Sequence, residues 1–223
     1  MHRTKLTDRK LPTYSRGEEI MNMVTHIIGG ALGVIVLAAG LFQSISHGSI
    51  FAVVGSCVYG VSMIALYTVS SVYHGMSPGT GKKVMQIIDH CTIYFLIAGT
   101  YTPILLSAFI PHYPTIGWTL LIAQWVLAAI AAMLTAIDLR QYRVFSMICY
   151  ILMGWAIIFF LPQALDTLGI SGFGLLLTGG VIYTIGAVFY GIGSNIPWFH
   201  SVFHVFVVLG SFFQFLSIIL YVL

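Results

Sequence analysis

Residues 50–74 read I-F-A-V-V-G-S-C-V-Y-G-V-S-M-I-A-L-Y-T-V-S-S-V-Y-H, with no Asp, Glu, Lys or Arg among them. A helix needs roughly 20 apolar residues to cross about 30 Å of hydrocarbon, and this run supplies them without interruption. Comparable runs lie at about 20–43, 85–110, 116–137, 143–162, 171–192 and 198–222. Hydrophobic residues make up 59% of the 223 and charged residues 7%, against about 25% charged in an ordinary soluble domain. So few charges cannot cover the surface of a soluble protein. A membrane barrel would show ~10-residue segments of alternating polarity, and the runs do not alternate. The expected fold is therefore an all-α integral membrane protein, a bundle of seven transmembrane helices over residues 20–223. A polar tail, residues 1–19, precedes it, and no connection is long enough to fold as a separate domain.

Charge sets the expected orientation. The nine Lys and Arg residues are Arg3, Lys5, Arg9, Lys10 and Arg16 in the tail, Lys82 and Lys83, and Arg140 and Arg143. Seven spans with the N-terminus inside put all nine on the cytoplasmic side, as the positive-inside rule requires. The C-terminus then lies outside. The tail does not read as a signal peptide, whose apolar stretch would be shorter and begin sooner. A net charge of +3, thinly spread, gives no footprint for nucleic acid. Cys57, Cys91 and Cys149 stand singly in apolar runs, as packing residues do. Pro103, preceded by Thr100, Tyr101 and Thr102, predicts a kink in the third span. Gly29 and Gly33, one turn apart, predict close helix packing in the first.

Polar side chains at membrane depth are costly, so those found there need a reason. His200 and His204 are four residues apart near the start of the last run, which sets their Cβ atoms ~5–6 Å apart on one helix face. A helix uses that spacing to offer two nitrogens to one zinc ion. His74 ends the second run, Ser70 lies one turn before it on the same face, and Asp89 lies in the first turns of the third. The alternating direction of the spans puts all of these at the cytoplasmic end. Three neutral histidines and a water would make an open tetrahedral zinc site of the catalytic kind, with Asp89 orienting the water or a ligand. The alternative is a set of interfacial histidines solvated at helix ends. Glu19, Asn22 and His26 share a face at the start of the first span. They either support the metal site or, for Glu19, complement the helix N-terminus. His2, in the tail, and His47 and His112, in outer turns, are weaker candidates. His90 is expected to point about 100° around the helix from Asp89, away from whatever Asp89 faces.

Four stretches also carry a resemblance: E-I-M-N-M-V-T-H at 19–26, S-S-V-Y-H at 70–74, D-H-C-T-I-Y-F-L-I-A-G-T-Y-T-P at 89–103 and H-S-V-F-H at 200–204. Together they resemble the hemolysin III proteins, within the progestin and adipoQ receptor family of seven-span membrane proteins with a cytoplasmic N-terminus. The resemblance covers nearly the whole chain from Glu19 onward. It implies zinc on His74, His200 and His204, with Asp89 and Ser70 close by. The short tail resembles that of bacterial members and implies residence in the bacterial inner membrane. Kinship with ceramidase-like enzymes implies a zinc-dependent hydrolase of lipid amide or ester bonds, acting in membrane lipid homeostasis. Asp89 would accept the proton and Ser70 would steady the oxyanion. The rival expectation is a non-catalytic regulator or receptor of membrane state, its zinc a structural clamp between spans two and seven. A pore-forming cytolysin has less behind it, since no amphipathic lytic segment is present. Membrane lipids are the expected partners in every case.

Overall fold

The computed structural model describes residues 4–192 and 196–223; His2 and Arg3 of the tail, and residues 193–195 of the 193–197 connection, lie outside the described residues. Every regular element among the described residues is helical. Six helices there are long and apolar enough to cross a membrane, so the chain is a multi-pass membrane protein. They are α1 (Arg16–Ser46), α2 (Ile50–Gly75), α3 (Thr80–Pro103, continuing to His112), α4 (Pro114–Ile137), the 50-residue stretch Arg143–Ile192, and α7 (Phe199–Tyr221). Within the 50-residue stretch, α5 (Arg143–Gly154) passes through a short 3-10 segment, Ala156–Phe160, into α6 (Leu161–Ile192). Gly169 interrupts α6 with φ 65° and ψ 171°, a left-handed geometry open to glycine and costly for other residues.

Local chemistry sets the helix ends. The Ser15 hydroxyl accepts from the Glu18 N–H, and the Glu18 carboxylate accepts from the Ser15 N–H, a reciprocal cap that starts α1 at Arg16. Ser49 caps α2 through the Ala52 N–H. Pro103 lacks the N–H that would hold the preceding turn, and a π-helical segment, Ile104–Phe109, follows it. The expected disturbance of the third span is thus a widened turn. The hydroxyls of Thr100 and Thr102 donate to the carbonyls of Leu96 and Ala98. Gly29 lets α1 close onto α2: a Cβ there would stand 2.5 Å from the Tyr67 ring. The Tyr67 hydroxyl in turn reaches the Val207 carbonyl and Ser211 on α7, so α1, α2 and α7 share one seam.

Long-range bonds show which ends lie together. The tail is packed down rather than loose: the Thr4 N–H donates to Asp138 Oδ2 at 2.7 Å, Arg9 reaches the Ile137 carbonyl, and Lys83 Nζ donates to the Thr7 carbonyl. Tail, α2–α3 connection and α4–α5 connection therefore meet at one end of the bundle. Burial raises the Asp138 carboxyl, but hydrogen bonds from the N–H groups of Thr4, Gln141 and Arg140 outweigh it and hold the pKa at about 2. At the far end, His47 Nδ1 lies 2.8 Å from the carbonyl of Leu223. Tyr113, between α3 and α4, bonds Asp166 there, while Tyr190 returns to His90 at 3.2 Å. The stretch Arg143–Ile192 thus travels away from the tail's end and comes back.

Candidate metal centre

At the end where the tail lies, α1, α2 and α7 bring His74, His200 and His204 together. Their ligand nitrogens lie within 4.8 Å of one another. His200 Nε2 is 3.4 Å from His74 Nε2 and 3.0 Å from His204 Nε2. Nitrogens on a tetrahedral zinc at ~2.05 Å stand about 3.3 Å apart, so the spacing suits an ion.

The outer nitrogens say more. His74 Nδ1 lies 2.7 Å from Glu19 Oε2, with the Asn22 amide 3.4 Å away. His204 Nδ1 lies 3.3 Å from the Asn22 carbonyl. Both partners accept, so both Nδ1 atoms carry hydrogen, and the Nε2 atoms of His74 and His204 are bare lone pairs. Two lone pairs converging on His200 Nε2 in a buried space are satisfied by that ring's N–H or by a cation held among the three. The donor set fits a metal ion bound by nitrogen, of the kinds that imidazole suits: zinc, copper, iron or nickel.

Each expected residue can be located. His74, His200 and His204 form the cluster. Ser70 and Asp89 both line a cavity of about 160 Å³ together with His200 and His204. Glu19 bonds His74 and Lys82. It does not cap α1, because Glu18 does. Asn22 touches both His74 and His204. His26 stacks on His204 with ring centroids 3.7 Å apart; it also lines the cavity, and neither of its nitrogens has a partner. An orphaned, buried imidazole beside a cavity marks a space built to hold something polar.

The expectation for His90 needs correcting. It does not turn away from Asp89 but lines the same cavity, its Nδ1 3.9 Å from Asp89 Oδ2. Its Nδ1 donates to the Gln86 carbonyl at 2.8 Å, which leaves Nε2 to accept from the Tyr190 hydroxyl. A 100° rotation moves a side chain off a narrow line, but a cavity this wide spans more than one face of α3. The cavity continues past Ile93, Leu96, Ile97, Ile151 and Trp155. Its wall is mainly apolar, with Thr100, Thr184, Tyr183 and Gln214 also on it.

Three further residues had no signal in the sequence. Tyr14, one residue before the α1 cap, stacks on His200 at 4.9 Å and covers the cluster from the tail side. Burial, with Tyr190 and Glu19 nearby, pushes its hydroxyl well above the ordinary value, so it stays neutral. Trp198 takes a left-handed φ of 68° just before α7, rare for so bulky a residue. Its N–H donates to Glu18 Oε1 at 2.6 Å, so one carboxylate caps α1 and anchors the turn that delivers His200. Lys82 is the third.

Comparison with known proteins adds to this geometry. The family described as "Haemolysin-III related" matches residues 14–215. The chain is 40% identical over 206 residues to "Hemolysin-3" of Bacillus cereus, covering 92% of each. It is 37% identical over 204 residues to "Hemolysin-3 homolog" of Bacillus subtilis (strain 168), covering 92% of this chain and 94% of the relative. It is also 30% identical over 158 residues to the human "Monocyte to macrophage differentiation factor", covering 67% of this chain and 63% of that protein.

Proposed function

Because the chain belongs to the haemolysin-III-related family of membrane proteins, we propose that it is a zinc-dependent hydrolase of lipid amide or ester bonds, acting in membrane lipid homeostasis. One observation carries the reading. Ser70 and Asp89 line the same cavity as His200 and His204, and most of the rest of its wall is apolar. A structural clamp between α2 and α7 needs the three histidines but no carboxylate, hydroxyl or slot beside them. A lipid hydrolase needs all of these: polar groups for the linkage and an apolar space for its chain.

His74, His200 and His204 would hold the ion. Bound there, zinc supplies a Lewis acid that polarises a carbonyl and lowers a water's pKa from about 15.7 to ~7. Asp89 takes the proton from the water that adds to the carbonyl carbon, and returns it to the amine or alcohol as that bond breaks. The Ser70 hydroxyl donates to the oxygen that gains negative charge. Ile93, Ile97 and Ile151 hold the acyl chain, and Tyr14 closes the site against bulk water.

This reading places the bundle as seven spans in the bacterial inner membrane, with the metal centre on the cytoplasmic side. The break at Gly169 supports it, since 50 helical residues extend about 75 Å, more than twice the hydrocarbon thickness. So does the position of the tail and of Leu223 at opposite ends of the bundle, where seven crossings would leave them. A reporter fused after Leu223 is expected to read as external and one inserted beside Lys83 as cytoplasmic; two cytoplasmic readings overturn the topology.

The chemistry is tested by incubating the purified chain with ceramide-type amides and acyl esters and measuring released fatty acid. Release that stops on chelation and resumes with added zinc is the expected result. A zinc-loaded chain that releases nothing from the panel, yet still alters membrane properties in cells, points to the clamp and a regulator instead. The relatives' name raises a third outcome, lysis of cells by the purified chain, which the same preparation can be scored for.

A further inference from the structure

Lys82 is a cation turned inward. It is 4% exposed, while the adjacent Lys83 reaches out to the tail at Thr7. Its ammonium donates to Glu19 Oε1 at 2.5 Å and to the Met76 carbonyl at 3.0 Å, and lies 5.3 Å from the centre of the Tyr73 ring. The other oxygen of Glu19 accepts from His74 Nδ1. Lys82, Glu19 and His74 thus form one chain of contacts from α3 through α1 to α2.

We propose that Lys82 is a positioning residue of the metal centre: by fixing the orientation of Glu19, it sets how strongly His74 binds the ion. The proposal rests on the reading of the three histidines as a metal site. The Glu19 side chain is 21% exposed, so without the ammonium its carboxylate is free to rotate toward water. With the ammonium in place, both oxygens are committed, and one is held against His74. A carboxylate on the outer nitrogen of a metal-bound histidine fixes the tautomer and strengthens the donor, and its loss typically lowers metal affinity by 10–100-fold. Among the described residues His204 has the neutral Asn22 carbonyl in that role, and His74 is the cluster histidine with an anionic partner there. Burying a lysine is costly unless it is paired, and here the pairing serves the ligand.

The test measures zinc affinity of the full-length chain in detergent by competition with a chromogenic chelator, beside the melting temperatures of zinc-loaded and chelated forms. Lys82→Met and Glu19→Gln are each expected to weaken binding by about 10–100-fold. The double variant should bind no more weakly than Glu19→Gln alone, since Lys82 acts through Glu19, and Lys82→Arg should recover most of the loss. Should Lys82→Met fail to fold, the double variant carries the test, because it leaves no lone buried charge. Unchanged affinity in Lys82→Met overturns the proposal, as do additive losses in the double variant. So does a fall in melting temperature shared equally by both forms with affinity intact, which is what a tether of three helices would give. Wild type that binds no zinc removes the metal reading and the proposal together, whereas zinc-binding wild type with an unaffected Lys82→Met removes the proposal alone.

Discussion

On the proposed reading the wild type binds one zinc per chain, and His204→Ala is expected to lose it, with affinity falling more than about 100-fold. Loss of an outer partner of a ligand already costs 10–100-fold, and this change removes one of three binding nitrogens outright. His204 is also the ring on which the site is stacked. It lies against His26 at 3.7 Å, edge-on to His74, and bonded to the Asn22 carbonyl. Truncating a buried side chain has its own cost in stability, so His204→Gln, which fills the space without offering an imidazole, accompanies it. His26→Phe is the informative contrast. His26 is as close to His204 as a ring can be, yet it stands outside the group of ligand nitrogens. Phenylalanine keeps the stack, and the metal should stay. Elemental analysis of the three variants separates a nitrogen cluster that binds an ion from a pile of buried rings. Wild type free of metal, or His204→Ala with wild-type zinc content and affinity, would sink the metal centre.

Much of this was legible in the sequence, for reasons that can be named. Length and charge fix apolar spans almost regardless of tertiary detail, because lipid leaves the backbone no other partners. His200 and His204 share a face by helix geometry alone, and span direction brings His74 to the same depth. Glu19, Asn22 and His26 were legible as a face but not in their roles. Which of Glu18 and Glu19 caps α1 depends on Ser15, and the answer decides which acid is left to meet His74. Spacing along one helix says nothing about the width of a cavity, so it does not reveal that His90 lines the same cavity as Asp89. It says as little about a partner drawn from a connection, which is why Tyr14 and Trp198 went unseen. Lys82 and Lys83 look alike to any count of charges; only packing shows that one faces the tail and the other Glu19.

Asp89→Asn is expected to retain the fold and nearly all the zinc, while release of fatty acid falls by 10²–10⁴-fold, the usual worth of a positioned acid or base. The first half follows from position. Asp89 is not in the group of side chains that could hold an ion, and it lines the cavity with Ser70 and with His90, whose Nδ1 is 3.9 Å away. Asparagine has nearly the same shape, so the wall keeps its form. The second half follows from chemistry, because an amide cannot take up the water proton or hand it to the leaving group. Ser70→Ala is the graded companion: it removes one donor and leaves the acceptor, so its loss should be smaller than that of Asp89→Asn. A clamp predicts the reverse pattern for Asp89, a change in melting temperature or metal retention with no turnover to lose. Lipid extracts from cells expressing wild type and Asp89→Asn carry the question into the membrane. Identical lipids in the two, with the cellular effect of the wild type preserved in the variant, would remove the hydrolase and leave a regulator built around the same three histidines.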